Sequence, residues 1–576
     1  MKFLTPTRLG RVLLIGALGL GACNDLEEYN PSNATADTVW TTPEGFVTAV
    51  NGAYFEQRNW YGKEDGVFMG ESGTDLWYNS SKSTYASQLT QYVGLTPLQG
   101  NPNRAAWTLL WRAINICNAG INRIGDAGFT NATVRNQREG ELRFLRAFYY
   151  WHVVETWGGV MLRTQETQDP VLTAVRSSIP EFYDLIISDL QFATENLPVS
   201  WGNEYSRATK KAAMGFLARA YLSRAYYDGG QEYFARARDA ANDVIARKSE
   251  LRTDLRTSYA DLWNPANNKT LGRDGGEALY VVSNSTDPSL NVDNNGNRLF
   301  QVFQTQYSNK PGLQLSLDYG FENNRRLMPT LTLLDLYNEQ RDSRYDGSFQ
   351  EVWIANRAYT WTAADVATYQ KDASLVGRQM RVGDTAMVIT KRALPNKSTK
   401  PYVVYDRNDV YLPNGTIRNG LNFVTLRKFR DPDRSAPNVQ AGSKDVVVMR
   451  LAEMYLISAE AENRLGNNAA AATMINVLRT RAAKKTPVNY TAAMQVTAAD
   501  ITPDFILDER ARELAGEHLR WFDVKRTKNG QNFVNYIKQR NPDITQVQDY
   551  HRLRPVRQEE LNALTNGSEF GQNPGY

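Results

Sequence analysis

The sequence predicts a mainly α fold: a scaffold of helical hairpins, with a loop-rich irregular region and a few short strands. Three observations predict it. Apolar residues recur every three or four positions in both the N-terminal and the C-terminal part of the chain. Short Gly- and Asn-bearing turns separate those runs, as antiparallel helices require. Between them, residues 248–443 lose the helical period and fill with Asn, Asp, Gly and Tyr.

Each element has its own local reason. Thr42-Pro43-Glu44 reads as an N-cap, a proline in the first turn and an acid at the positive end of the helix dipole. Phe46, Val47, Val50 and Tyr54 follow at helical spacing. Leu109, Leu110, Ala113, Ile114, Cys117, Ile121 and Ile124 mark a second helix that fades at Gly125. Glu141 to Trp157 is a third, stopped by Gly158-Gly159. Ile179-Pro180 opens a fourth, with Phe182, Leu185, Ile186, Leu190 and Ala193 inward. Arg207 to Tyr227 is Ala-rich, and Asp228-Gly229-Gly230 turns the chain into another Ala-rich helix to Ile245.

In the middle region, Ala278 to Val282 reads as an isolated strand, and Pro329 to Asn338 as a helix. Helices return at Val446, where Leu451, Met454, Tyr455, Ser458, Ala461 and Leu465 mark one face. Gly466-Asn467-Asn468 is the turn, and Ala469 to Ala482 follows. The string Ala459 to Gly466 with the Ala-rich run after it resembles the inner part of a tetratricopeptide repeat, where small residues let two helices approach closely. Ala212 to Ile245 has a similar layout, so the scaffold is tetratricopeptide-like without a regular array.

Composition bounds the function. The 576 residues carry 66 Lys+Arg against 62 Asp+Glu, a formal charge of +4, which excludes a broad nucleic-acid field. Two Cys and three His exclude a disulfide framework and a rich transition-metal site, and no cofactor motif is present. Lys2, Arg8 and Arg11 precede the short apolar run Val12 to Leu20, which suits a secretory signal and is too short to span a membrane. Leu20-Gly21-Ala22-Cys23 looks like a lipobox, so Cys23 is the expected site of lipid attachment. More than one acyl chain there gives stable anchoring. No later segment reads as a membrane span, so the membrane is met through the lipid alone. The expected organisation is a signal (1–22), a lipidated tether (23–40), an N-terminal helical region (41–247) and a C-terminal region (248–576). The last divides into an irregular part (248–443), a helical part (444–526) and a tail (527–576).

The search for catalytic motifs is nearly empty. There is no H-E-x-x-H, no C-x-x-C, no phosphate-binding loop and no G-x-S-x-G. His152 and Cys117 read as core residues on apolar helix faces. Glu509, Glu513 and Glu517 are spaced four apart, and the interleaved Arg510, Arg512 and Arg520 suggest structural ion pairs over a catalytic acid. A glycoside hydrolase stays open at this point, because its two carboxylates can lie far apart in sequence.

The stretch Glu509 to Arg526 closely resembles the C-terminal signature of the SusD/RagB family of nutrient-uptake outer-membrane lipoproteins. Other pieces agree in order: Asn51-Gly52-Ala53-Tyr54, then Arg143 to Tyr150 leading to Trp157-Gly158-Gly159-Val160, then Ala212 to Tyr221, Val448 to Leu456, Leu553-Arg554-Pro555-Val556 and Gln572 to Tyr576. The resemblance runs from the lipobox to the last residue. It implies a helical scaffold with an irregular ligand surface, no catalytic activity, and a place on the outer membrane facing the exterior. It implies two partners: an oligosaccharide, with an oligopeptide as the alternative, and a SusC-like TonB-dependent barrel over which the lipoprotein sits as a lid.

Sugar recognition needs aromatic faces for C–H surfaces and polar groups for hydroxyls. Two places offer that mixture. One holds Asp75, Trp77, Tyr78 and Tyr85; the other holds Asn284, Tyr307, Tyr319, Asn323, Arg325 and Trp353. On this reading Trp77→Ala with Tyr78→Ala weakens ligand binding and leaves the melting temperature nearly unchanged.

Overall fold

A computed structural model describes residues 39–82, 87–98, 101–291, 296–322 and 325–576. The signal, Cys23 and nearly all of the tether lie outside the described residues, as do Tyr85 and Asn323.

Helices α1 (Pro43–Gln57), α2 (Glu64–Glu71), α3 (Asn101–Arg123), α4 (Ala132–Trp157), α5 (Ile179–Asn196), α6 (Lys210–Arg224) and α7 (Gly230–Ala246) fill the N-terminal part. Thr42 caps α1, its hydroxyl accepting from the Gly45 amide at 3.1 Å. Ser178 and Glu181 close a reciprocal capping box on α5. Helix α4 starts nine residues before the expected Glu141, because Asn131 caps it and residues 132–139 are a solvated polar turn pair with no apolar stripe to signal them. It ends at Gly158, whose φ of +73° suits glycine.

The chain resumes helix at α8 (Leu451–Arg464) and α9 (Asn468–Ala482), then α10 (Pro503–Leu514) and α11 (Arg520–Thr527). Packing is sequential: α3 on α4, α4 on α5, α5 on α6, α6 on α7, α7 on α8 and α8 on α9. Each helix buries its apolar face against its neighbours, as in a solenoid. Close approach needs small residues. On α6, Ala212, Ala213, Ala218 and Ala220 are buried, and a Cβ on Gly215 would meet Met449 and Leu279 at 2.7–2.8 Å.

The irregular region is therefore an insertion between two adjacent helices of the stack, α7 and α8. A two-stranded sheet closes its base. The strands that frame the site and the base are β1 (Trp77–Asn79), β2 (Ala278–Val282), β3 (Leu327–Pro329), β4 (Val352–Ile354) and β5 (Val446–Arg450). β2 pairs antiparallel with β5, Val282 opposite Val446 and Ala278 opposite Arg450. Residues 446–450 are thus strand, where helix was expected from Val446. Three consecutive valines favour the pleated, fully buried position, and the helix starts only at Leu451. The expected helix at Pro329 to Asn338 shrinks to Leu331–Asp335, because Pro329 is the last residue of β3 and Thr330 caps the short helix after it.

A buried polyion fastens insertion to scaffold. Arg450 donates to Glu277 at 3.0 Å, to Glu513 at 2.7 Å and to Glu517 at 2.8 Å. Arg344 donates to Glu509 at 2.9 Å and to Asp342 at 2.7 Å, and Lys428 donates to Glu517 at 2.9 Å. Structural pairing is what these glutamates do. Their partners, however, come mostly from distant segments: of the three interleaved arginines only Arg512 bonds Glu509, while Arg510 bonds Asp523 and Arg520 bonds Asp75. Glu517 also leaves the helix face, since α10 ends at Leu514 and Gly516 turns the chain at φ +84°.

Burial opposes ionisation of Glu509, yet Arg344, Arg512 and Arg479 outweigh it and hold its carboxyl down at about 2. A depressed carboxylate contributes stability above its unfolded pKa and loses it as pH falls toward the folded one. We expect stability to decline steeply between about pH 4.5 and 2. Urea midpoints measured across that range check this; a midpoint flat down to pH 2.5 would contradict it.

Candidate ligand-binding face

The tertiary structure joins the two segments that sequence reasoning nominated separately. β1 pairs antiparallel with β3: Trp77 lies opposite Pro329 and Asn79 opposite Leu327. The ladder continues outward, where the Ser80 amide donates to the Arg326 carbonyl at 2.9 Å and the Ser80 hydroxyl to the Arg325 carbonyl at 2.6 Å.

Joining them buries most of the nominated side chains. Trp77 and Tyr78 are each 1% exposed. The Trp77 indole donates to Glu71 at 2.7 Å, its ring packs on Phe303 at 4.8 Å, and the Tyr78 hydroxyl donates to the Gly415 carbonyl at 2.6 Å. Asp75 is wholly buried and takes two hydrogen bonds from Arg520, at 2.8 and 2.7 Å, which hold its carboxyl below the usual range against the opposing effect of burial. Tyr307 and Trp353 are buried too. Asn284 is buried elsewhere, at the end of β2, its amide donating to the Lys444 carbonyl at 3.1 Å. None of these six presents a face to a ligand; the Trp353 Nε1–H lacks an acceptor among the described residues but is sealed in the core. They correct the expectation for a physical reason: a long insertion needs its own core, and its aromatics supply it. Burial likewise pushes the Tyr307 phenol up to about 12.

Tyr319 and Arg325 remain at the surface, both half-buried. Tyr319 is held rigidly. Its hydroxyl accepts from the Ile354 amide at 2.8 Å and donates to the Ile354 carbonyl at 3.0 Å, so it caps the end of β4. Its ring meets the edge of Tyr307 at 5.4 Å, and the Arg430 guanidinium lies 5.7 Å from its centroid. Burial, together with Arg427 nearby, lowers Arg430 to about 10. The turn beneath is fixed by Glu322, which accepts from the Tyr307 amide at 2.6 Å, the Ser308 amide at 3.0 Å and the Ser308 hydroxyl at 2.6 Å. Arg325 donates to the Glu322 carbonyl at 2.8 Å.

Around this pair the surface mixes apolar and polar groups. Leu421 and Ile354 are exposed, Gln306 and Ser308 partly so. The Gln306 amide is tied to the Leu421 carbonyl at 2.9 Å. A ledge with one rigid ring, a guanidinium and amide groups suits polyhydroxylated ligands. Sequence reasoning missed Gln306, Ser308, Ile354 and Leu421, which carry no pattern of their own.

A second concavity of about 520 Å³ lies between α3 and the segment after α4, lined by Trp107, Trp111, Met161 and Leu564. Asn115, Asn118 and Asn122, on one face of α3, pin that segment. Asn115 accepts from the Thr167 amide at 2.7 Å, Asn122 from the Glu166 amide at 3.0 Å, and Asn118 donates to the Arg163 carbonyl at 2.9 Å. The asparagine spacing is visible in sequence; the extended segment it holds is not.

Residues 280–576 match the SusD family model, and residues 26–222 match a second model described as starch-binding associating with outer membrane. The chain belongs to the SusD family. SusD-like protein P38 of Formosa agariphila is 23% identical over 525 residues, covering 89% of this chain and 90% of that one. Starch-binding protein SusD of Bacteroides thetaiotaomicron is 23% identical over 502 residues, covering 84% and 81%. Among solved structures, a laminarin-binding SusD-like protein superposes with a TM-score of 0.63 at 18% identity, covering 93% of this chain and all of that one. Surface glycan-binding protein A from Bacteroides fluxus superposes with a TM-score of 0.65 at 17% identity, covering 93% and 100%. The fold is thus the tetratricopeptide-like helical fold of SusD-like proteins.

Proposed function

We propose that this protein is a cell-surface lipoprotein that binds an oligosaccharide on the Tyr319–Arg325 ledge and passes it to a SusC-like TonB-dependent barrel, over which it sits as a lid. The family match carries the reading; relatives described as binding starch, laminarin and surface glycans supply the ligand class. On this proposal the ledge is where the ligand sits. Its ring is already ordered, so stacking a sugar on it costs little conformational entropy.

Binding without turnover is part of the proposal. Glu509, Glu513 and Glu517, the acids that invited a catalytic reading, are buried under arginine and lysine partners. Anchoring at Cys23 fits a chain in which, among the described residues, no helix is long and apolar enough to cross a membrane. The proposed organisation keeps a signal at 1–22, a tether at 23–40, a helical region at 41–247 and a region at 248–576 that holds the ledge.

A glycan array identifies the ligand, with oligopeptides as the competing class. Tyr319→Ala should then weaken the best glycan about five- to tenfold, equivalent to about 1 kcal/mol of lost ring contact. Calorimetric titration reads it. Unchanged affinity would remove the ledge, and release of reducing sugar by the purified protein would contradict the binding role. For the anchor, Cys23→Ala should abolish incorporation of labelled palmitate and release the protein from membranes.

A further inference from the structure

A cavity of about 500 Å³ is lined by Trp263, Asp346, Arg427, Arg481, Lys484 and Lys485 among others. Its volume is in the range of small-ligand sites. Its charge is one-sided. Lys484 is paired with Asp346, and Arg481 with Glu277 and Glu513. Arg427 and Lys485 are exposed and form no ion pair among the described residues. Asp346 is shared electrostatically between Lys484 and Arg427, and the wall carries an excess of positive charge.

Two donors buried beneath that wall lack partners. Trp263 is 5% exposed and Arg481 8%, yet the Trp263 Nε1–H and the Arg481 Nε–H find no acceptor among the described residues. Arg481 cannot swing away to satisfy its own, because its terminal nitrogens are held by Glu277 (2.8 Å) and by Glu513. Both atoms are sealed from solvent, so they bear on the packing beneath the wall and not on the cavity itself. The rest of the wall is neutral or cationic, apart from the Asp346 carboxylate that Lys484 already holds. The wall thus favours a ligand that brings negative charge.

We propose that this cavity is a second saccharide subsite, selective for an acidic sugar whose carboxylate or sulfate group meets Arg427 and Lys485. It rests on the reading of the protein as a glycan binder and adds a ligand class that the ledge does not specify.

The test is calorimetric titration of the detergent-solubilised full lipoprotein with methyl glucuronide, with glucose 6-sulfate, with neutral methyl glucoside and with sodium sulfate. The expected result is binding of either acidic sugar at least tenfold tighter than methyl glucoside and than sodium sulfate, weakening as salt rises. Arg427→Gln with Lys485→Gln should reduce it at least tenfold, while Tyr319→Ala leaves it unchanged. Equal binding of acidic and neutral sugars overturns the proposal. So does sodium sulfate binding as tightly as the sugars, and so does an unchanged double variant. If acidic sugars bind as described and no neutral glycan binds anywhere, the ledge falls and the cavity stands. If neutral glycans bind through Tyr319 and no acidic sugar binds at the cavity, the cavity alone falls.

Discussion

Trp77→Ala is expected to lower stability by about 3–5 kcal/mol, the usual cost of deleting a buried indole, while leaving ligand affinity per folded molecule unchanged. The ring packs on Phe303 inside the core, and the indole N–H satisfies Glu71. Glu71 is wholly buried, and burial raises its carboxyl to about 7, against the hydrogen bonds from Trp77 and from the Leu519 and Gly516 amides that favour its charge. Losing the indole removes packing and one of those donors together. Urea unfolding with calorimetry on the folded fraction separates the two effects. Trp77→Phe should recover most of the packing and none of the hydrogen bond, and so fall between. A Trp77→Ala variant with native stability and lost affinity would reverse the conclusion. This is the opposite of what the residue types alone suggest, where the Trp77-Tyr78 pair reads as a ligand platform.

Arg450→Met is expected to cost more. Arg450 is the shared partner of Glu277, Glu513 and Glu517, and all four are buried. Removing one partner from a buried ion pair typically costs about 3–5 kcal/mol, because the remaining charge is left without compensation. Here three carboxylates lose a partner at once, although Arg481 and Lys428 still bond to them. The variant should accumulate poorly and melt well below the parent. Arg247→Ala is the control: its pairs with Asp243 and Glu250 are partly exposed, and its loss should stay within about 0.5 kcal/mol. Equal melting temperatures for the two variants would show that the polyion does not fasten the insertion.

Both results bear on what could be read in advance. The helices of the scaffold were legible to within a few residues where a cap or a glycine marks them. Thr42, Pro180 and Gly158 act on neighbours a few positions away, so their effect is written in adjacent letters. Residues 132–140 were not legible as helix, since nothing apolar repeats there and Asn131 alone sets the start. The strand at Val446–Arg450 was missed because its reason lies in Ala278–Val282, more than 160 positions earlier. The ledge was half legible: Tyr319 and Arg325 were named, while Gln306, Ile354 and Leu421 were not.

The sequence by itself determined the mainly α class, the capped hairpins, the irregular region and the family. These rest on short-range periodicity and on motifs, which need no knowledge of where the chain goes next. Only the tertiary structure decided which aromatics are core and which are surface. That depends on contacts such as Arg520 with Asp75, separated by 445 positions, and Ser80 with Arg325, separated by 245. A tryptophan in an Asn-rich loop carries the same residue type whether it meets a sugar or a neighbouring strand; what differs is the surface folded against it.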